Sequence, residues 1–262
     1  MSPTNTTLRP ARRDDIPDLA RVANAANARS ALHKRLALHQ DLYPQDYYQW
    51  RLNILRQRFA APDLRTIVAE DGSTGQTLGF ASWAVEGSET ALYQRWVGGS
   101  SWMDWLEGKL VEVEKTWCRY FTNRCMDYAF LDEFMAGFVG AGHSPRPACL
   151  HPHLIVVDPG VQAKGVGRVL VDWGKEVAVE EGLPIYLEAN LESTGFYEKV
   201  GFARLGSDFD VSPDGIEHFV IPTYVWEGEQ RRGRWLENDA NFAGPAQKWK
   251  WRHEVLPSSN AA

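Results

Sequence analysis

The chain has 262 residues, of which 44% are hydrophobic and 24% are charged, and its formal net charge is −6 at pH 7. This length supports a full hydrophobic core, in one domain with an elaboration or at most in two domains. The negative net charge argues against a nucleic-acid partner, whose phosphates require a basic face. The sequence contains neither an apolar run of membrane-spanning length nor a signal-peptide core, so we expect a soluble, cytoplasmic protein without a membrane partner.

The first predicted elements are a strand at residues 8–11 and a helix that follows Asp14-Asp15-Ile16-Pro17. Aspartate is expected at its N-cap and proline in its first turn. Residues 65–70 and 77–83 have the composition of two strands, and the turn at residues 71–73 predicts a hairpin between them.

The segment at about residues 87–147 is far longer than an ordinary connection of about 4–6 residues. Apolar side chains recur in it at steps of three or four residues, which predicts an amphipathic helix: Leu106, Leu110, Val113, Trp117 and Phe121. We therefore expect a helical insertion between the third and fourth strands. It serves either as a lid or substrate wall, or as a structural element packed on the sheet. Its tryptophans either line an apolar pocket or anchor the core: Trp96, Trp102 and Trp105.

An anion-binding turn is predicted after the fourth strand. Residues 154–157 read as a strand that stops at Asp158-Pro159-Gly160, and apolar residues recur at helical spacing from Val166 onward. The first N–H groups of that helix lack an intrahelical partner and favour an anion, and Gly165 and Gly167 allow close approach of the backbone. A Walker A loop is excluded because no Lys-Ser/Thr follows, and a dinucleotide fingerprint because Leu170 stands where a small residue is needed.

Two blocks of sequence resemble the GCN5-related N-acetyltransferase (GNAT) superfamily. Residues 155–159 followed by residues 162–167 are similar to that family's L-x-V-x-P strand and R/Q-x-x-G-x-G/A turn. Residues 190–202 are similar to its N-x-x-A/S-x-x-x-Y-x-K-x-G-F element. The resemblance extends from about residue 7 to residue 226 and is specific only in residues 153–202.

The resemblance implies a mixed α/β fold with a central, mostly antiparallel twisted sheet flanked by helices. It implies a single acetyltransferase domain over residues 1–226 that includes the insertion. Residues 227–262 form a C-terminal extension that is either docked or mobile.

The resemblance also implies that acetyl-CoA is the acyl donor. The pantetheine arm would lie along the strand and its diphosphate would bind the turn, with further contacts from the second block. The implied cofactor-binding residues are Ile155, Val156, Val157, Gln162, Ala163, Lys164, Gly165, Val166, Gly167, Arg168, Asn190 and Ser193.

Acetyl transfer to an amine needs a proton acceptor and a group that protonates the departing thiolate. The resemblance points to Tyr197 as the acid. His151 and His153, two residues apart on a strand, are candidate bases that titrate near neutral pH. They resemble the paired histidines of serotonin and other arylalkylamine N-acetyltransferases, and we prefer His153; Glu188 and Asp158 are the alternatives. No set of histidines and cysteines has the spacing of a metal site, so none is expected.

The implied function is acetylation of a primary amine of a small molecule, by direct attack in a ternary complex. A protein or peptide N-acetyltransferase and a non-catalytic acyl-CoA-binding module are the alternatives.

Overall fold

The computed structural model describes residues 5–142, 145–206, 208–212, 218–239 and 248–256. The strands are β1 (Thr6–Pro10), β2 (Leu64–Asp71), β3 (Thr77–Glu86), β4 (Cys149–Val157), β5 (Ile185–Glu188), β6 (Ala203–Arg204), β7 (Phe209–Val211), β8 (Phe219–Ile221), β9 (Thr223–Trp226), β10 (Leu236–Asn238) and β11 (Trp249–Trp251). The α-helices are α1 (Ile16–Asn27), α2 (Ala31–Leu36), α3 (Pro44–Ala60), α4 (Ala91–Gly98), α5 (Trp102–Trp117), α6 (Tyr128–Gly142), α7 (Val166–Glu181) and α8 (Thr194–Lys199).

A seven-stranded sheet has the strand order β1-β2-β3-β4-β5-β9-β6. β1 with β2, β2 with β3, β5 with β9, and β6 with β9 are antiparallel pairs, whereas β4 and β5 are parallel. The mostly antiparallel sheet and its helices confirm the predicted mixed α/β fold.

Several predicted elements are confirmed. β2 and β3 form the hairpin, and Asp71 Oδ1 accepts the backbone N–H groups of Ser73 (2.9 Å) and Thr74 (3.0 Å) in its turn. Asp15 occupies the N-cap of α1 with proline in the first turn, but its carboxylate accepts from Arg9 and from the Arg12 N–H instead of capping the helix.

Pro222 separates two short strands, β8 and β9. β8 ends before Pro222 and pairs with β7, and β9 begins after it and pairs with β5. Proline has no N–H for a ladder, so the change of partner falls at that residue.

The contacts divide the chain into two compact units. The first unit comprises Met1–Ala84, Ala91–Leu131 and Pro152–Trp173, and the second comprises Val85–Thr90, Asp132–His151 and Gly174–Ala262. In the first unit, α1 packs on α3, and a buried cluster includes Leu19, Val22, Leu55, Phe80 and Val156.

The predicted helical insertion is present as α4, α5 and α6. However, the apolar row of α5 faces outward, with Leu110 56% and Val113 69% exposed. α5 contacts α3 instead through buried Val111 and through polar pairs, among them Glu114 with Arg56 at 2.5 Å. The row therefore does not pack on the sheet, and the tryptophans Trp102 and Trp105 are exposed and do not anchor the core.

The described part of the C-terminal extension packs within the second unit. β10 and β11 form an antiparallel pair, and Leu236 lies in a buried cluster with Cys149, Tyr186, Leu205 and Val225. A domain boundary at residue 226 stays a prediction. In the described residues, no helix combines the length and the apolar character needed to cross a membrane.

Candidate active site

In the first unit, β4 leads into a turn that its own side chains stabilise. Asp158 Oδ1 accepts the N–H of Gly160 at 2.9 Å, and Asp158 Oδ2 lies 3.3 Å from Nη1 of Arg21 on α1. Gln162 Nε2 donates to the Val157 carbonyl at 3.2 Å. These bonds fix the path of the chain from the strand to the start of α7.

The backbone of the turn, which was predicted to bind an anion, contains two residues with positive φ. Ala163 has φ 61° and Gly165 has φ 94°, and both lie in the left-handed region. Alternation into this region turns successive N–H groups toward a common point, which creates a concave anion site. α7 begins at Val166, so the first N–H groups of the helix lack an acceptor in a preceding turn. A Cβ at Gly165 would meet nothing within 4 Å, which leaves room for a ligand beside the backbone.

The charged side chains of the turn, Lys164 and Arg168, interact with other groups of the protein. Lys164 Nζ donates to the Gly160 carbonyl at 3.0 Å, which braces the turn. Arg168 is exposed and lies 3.5 Å from Asp172 one turn along α7. The groups of this turn that suit an anion are therefore its backbone N–H groups, which lie at the positive end of the helix dipole.

The strand segment proposed for the pantetheine arm precedes this turn. Val156 is buried, and Ile155 and Val157 are half-buried. In the part of the chain that the structure describes, the registered pair between β4 and β5 is Leu150 with Ile185, which precedes residues 155–157 along β4.

In the second unit, His151 lies between two carboxylates. Its Nδ1 is 2.6 Å from Glu86 Oε1 and its Nε2 is 2.6 Å from Glu188 Oε2. Arg146 also holds Glu86, with Nε–Oε2 at 2.5 Å and Nη2–Oε1 at 2.8 Å. The side chains alternate in charge, and the Arg146 guanidinium also lies 4.5 Å from the Tyr186 ring centroid. We call Arg146, Glu86, His151 and Glu188 the ion cluster.

The ion cluster changes the protonation of its members. Burial alone would lower the pKa of His151, but the hydrogen bonds to Glu188 and Glu86 outweigh it and raise the pKa to about 9. Burial likewise favours neutral carboxyls, but the bonds from His151 hold the pKa of Glu86 and that of Glu188 below their usual values. At pH 7, His151 is therefore an imidazolium that donates from both nitrogens. In this state, neither nitrogen has a lone pair that could accept a proton from a substrate.

Tyr197 lies on α8 and is buried. Its ring contacts the aromatic rings of Phe196, Phe202 and Tyr224, with centroids 5.2, 5.6 and 6.0 Å away. Burial raises the pKa of Tyr197 to about 12, so its hydroxyl keeps its proton at neutral pH. In the turn before α8, Asn190 is exposed and its carbonyl accepts the N–H of half-buried Ser193 at 2.9 Å.

The structure distinguishes the two histidines of β4. His153 belongs to the first unit and is exposed, whereas His151 belongs to the second unit and is buried. Sequence reasoning did not find Glu86 or Arg146, which complete the ion cluster. The feature that could have indicated Glu86 is its position: it is a carboxylate at the last residue of β3, a strand in which every other residue is buried.

Curated relatives match parts of the chain. It is 42% identical over 72 residues to the "probable acyltransferase SID5" of Ajellomyces capsulatus, an alignment that covers 26% of this chain and 52% of that protein. It is 36% identical over 53 residues to an uncharacterized N-acetyltransferase of Schizosaccharomyces pombe, covering 20% of this chain and 23% of that protein. The matched segments thus span about half of the first relative and about a quarter of the second.

A solved structure shares the fold. The crystal structure described as histone acetyltransferase HPA2 and related acetyltransferase, from Corynebacterium glutamicum, superimposes with a TM-score of 0.54 at 18% identity. The superposition covers 85% of this chain and 96% of that one. Residues 99–202, which include the anion-binding turn and Tyr197, match the model of the acetyltransferase (GNAT) family. Over residues 99–202, the chain is therefore similar to the acetyltransferase (GNAT) family.

Proposed function

We propose that this chain is an acetyl-CoA-dependent N-acetyltransferase that acetylates a primary amine of a small molecule, by direct attack in a ternary complex. The observation that carries the proposal is the turn at residues 162–168, whose left-handed residues and helix start suit a diphosphate. The relatives named as an acyltransferase and an N-acetyltransferase support the same class of reaction.

The turn fits the cofactor in its chemistry. Backbone N–H groups at residues 163–168 would bind the diphosphate, and Gly165 leaves open space beside them. Residues 155–157 would pair through their backbone with the amides of the pantetheine arm, as an added strand pairs with a sheet edge. Asn190 and Ser193 would contact the same arm. When bound, acetyl-CoA supplies the thioester that reacts with the amine.

The protonation of His151 bears on the choice of base. A group that already holds its proton at pH 7 cannot take another from the ammonium form of the acceptor. We therefore assign the base to His153, which is exposed on β4. We assign His151 a positioning role, in which it holds the Glu188 carboxylate at the end of β5.

Tyr197 is the proposed acid. Its hydroxyl remains protonated at neutral pH, so it can give a proton to the sulfur as the C–S bond breaks. The ammonium form of the acceptor loses one proton to His153, and the neutral amine attacks the acetyl carbon. As the C–S bond breaks, the nitrogen loses its second proton to solvent and the thiolate gains one from Tyr197. Proton exchange with solvent restores His153 and Tyr197, so the products are the acetylated amine, CoA thiol and one proton.

An acetyl-transfer assay tests the proposal. The purified chain is incubated with acetyl-CoA and either a panel of small primary amines or a panel of peptides, and free CoA thiol and acetylated product are both measured. Acetylation of small amines is expected. Acetylation of peptides alone would contradict the small-molecule acceptor. Binding of acetyl-CoA without transfer to either panel would contradict catalysis and favour a binding module.

A further inference from the structure

Two arginines of α3 in the first unit, buried Arg51 and half-buried Arg58, have no carboxylate partner among the described residues. Arg51 and Arg58 are seven residues apart, which places them two turns apart on one face of the helix. Arg51 is only 3% exposed. Its Nε donates to Asn24 Oδ1 at 3.1 Å and its Nη2 donates to Tyr47 Oη at 3.2 Å. Its guanidinium also lies 4.9 Å from the Trp50 ring centroid. Each of these partners is neutral.

Arg58 is less well satisfied. Its Nη1 is out of contact with solvent and has no hydrogen-bond partner among the described residues. A charged N–H group that is buried without a hydrogen-bond partner loses its hydration without compensation, which costs free energy. The Nδ2 of Asn27, one turn beyond Asn24 on α1, is likewise buried without a partner in the part of the chain that the structure describes.

Another arginine of the same helix forms ion pairs with carboxylates. Arg56 lies 2.5 Å from Glu114 and 3.6 Å from Glu107, so carboxylates of α5 neutralise it. Burial together with the Arg51 charge lowers the pKa of Arg58 to about 10 and that of His33 to about 4. Both arginines remain cationic at pH 7, while His33 is neutral. No carboxylate of the residues that the structure describes therefore neutralises the positive charges of Arg51 and Arg58.

The helix that contacts Arg51 also contacts the anion-binding turn. On α1, Arg21 lies 3.3 Å from Asp158 at the start of the turn, and Asn24, which accepts from Arg51, is three residues later on the same face. Asn24, the hydrogen-bond partner of Arg51, is thus about one helical turn from Arg21, which contacts the proposed cofactor loop.

We propose that Arg51 and Arg58 bind a carboxylate carried by the acceptor, so that the acceptor is an amino acid or a derivative with a free carboxylate. This inference deepens the proposed acetyl transfer and rests on it for the role of the ligand as acceptor. A guanidinium presents parallel N–H donors that match a carboxylate. A monoanion also costs less to transfer into a buried site than a doubly charged phosphate does.

Binding is tested without catalysis. The melting temperature of the whole chain is measured with sodium acetate, acetamide or inorganic phosphate at constant ionic strength. Acetate is expected to raise it saturably, more than phosphate does, and acetamide to have no effect. Arg58→Met should abolish the acetate effect, and Arg56→Gln, the matched control on the same helix, should retain it. An equal acetate effect in Arg58→Met, or a stronger effect of phosphate, would overturn the inference.

Acceptor choice is tested with pairs of amines. Glycine, β-alanine and lysine are compared with their amides, and the acids should have kcat/KM values about 10- to 100-fold higher, as expected for charge-assisted hydrogen bonds. In Arg58→Met, the ratio of kcat/KM for each acid to kcat/KM for its amide should fall close to one, and Arg58→Lys should restore part of the preference. Weakened acetyl-CoA binding in Arg58→Met, with the preference intact, would assign the pair to a cofactor phosphate instead. Loss of all acetyl transfer with the acetate effect intact would contradict the proposed function but not the carboxylate site.

Discussion

The imidazole of His151 donates from Nε2 to Glu188 Oε2 over 2.6 Å, and this bond joins the β4 and β5 strands at the level of their side chains. Together with the bond from Nδ1 to Glu86, it keeps the ring charged inside the second unit. A charged buried histidine between carboxylates has two measurable consequences, one for stability and one for the pH dependence of catalysis.

The first consequence is a loss of stability at alkaline pH. The folded-state pKa of His151, about 9, exceeds the ordinary value of 6.5. The stabilisation is therefore fully present below pH 6.5 and is lost as the pH rises through about 9. We expect the melting temperature to fall between pH 7 and pH 10, and His151→Gln to flatten this dependence while lowering stability at pH 7. Replacement of exposed His39 by Gln should leave the pH dependence unchanged. An unchanged profile in His151→Gln would show that the ion cluster does not hold the extra proton.

The candidate site was predictable where its signal is local in sequence. The residues of the anion-binding turn are contiguous, so spacing alone indicated a strand, a turn and a helix start, and the structure has all three. The partners of His151 were not predictable, because Glu86 is 65 residues and Glu188 is 37 residues away along the chain. Only the folded chain brings those carboxylates to the ring.

The orientation of α5 shows a second limit of sequence patterns. Periodicity correctly indicated a helix, yet Val113 and Trp117 of its apolar row are 69% and 57% exposed. The inward face of α5 carries buried Val111 and an ion pair with α3 between Glu114 and Arg56. Hydrophobic spacing reports the period of an element and does not identify the neighbour that it packs against.

A substitution in the anion-binding turn should weaken cofactor binding. Gly165 has φ 94°, a left-handed conformation that a residue with a Cβ adopts at a cost of about 1–2 kcal/mol. The added Cβ itself would meet no atom within 4 Å. We expect Gly165→Ala to shift the turn and to weaken acetyl-CoA binding about tenfold, measured by calorimetry. Gly233→Ala is the matched control, because Gly233 also has a positive φ (81°) and open space in a different turn. Equal acetyl-CoA affinity in the two variants would rule out the backbone of this turn as the diphosphate site.

Removal of the Tyr197 hydroxyl should affect turnover and not binding. We expect Tyr197→Phe to lower kcat by about 100-fold, a typical contribution of a general acid, with the acetyl-CoA dissociation constant unchanged. Tyr224→Phe is the control, since that ring lies 6.0 Å from Tyr197 and its hydroxyl donates to Glu198 at 3.2 Å. If Tyr197→Phe retains full turnover, or if both variants lose the same activity, the tyrosine packs the structure and is not the acid.

The second consequence of the charged His151 concerns the base. Because His151 already holds its proton at pH 7, loss of kcat/KM at acidic pH should reflect His153. We expect His153→Ala to lower kcat/KM by about 100-fold at pH 7. The acidic limb of the pH profile, in which kcat/KM falls as a histidine becomes protonated, should also disappear in this variant. His151→Gln should instead lower stability and leave that limb in place, because the residue acts by holding Glu188. The two variants are compared over pH 5.5–9.5 with folding checked at each pH by circular dichroism. If the acidic limb persists in His153→Ala and disappears in His151→Gln, proton removal passes through the ion cluster, and the assignment of His153 is wrong.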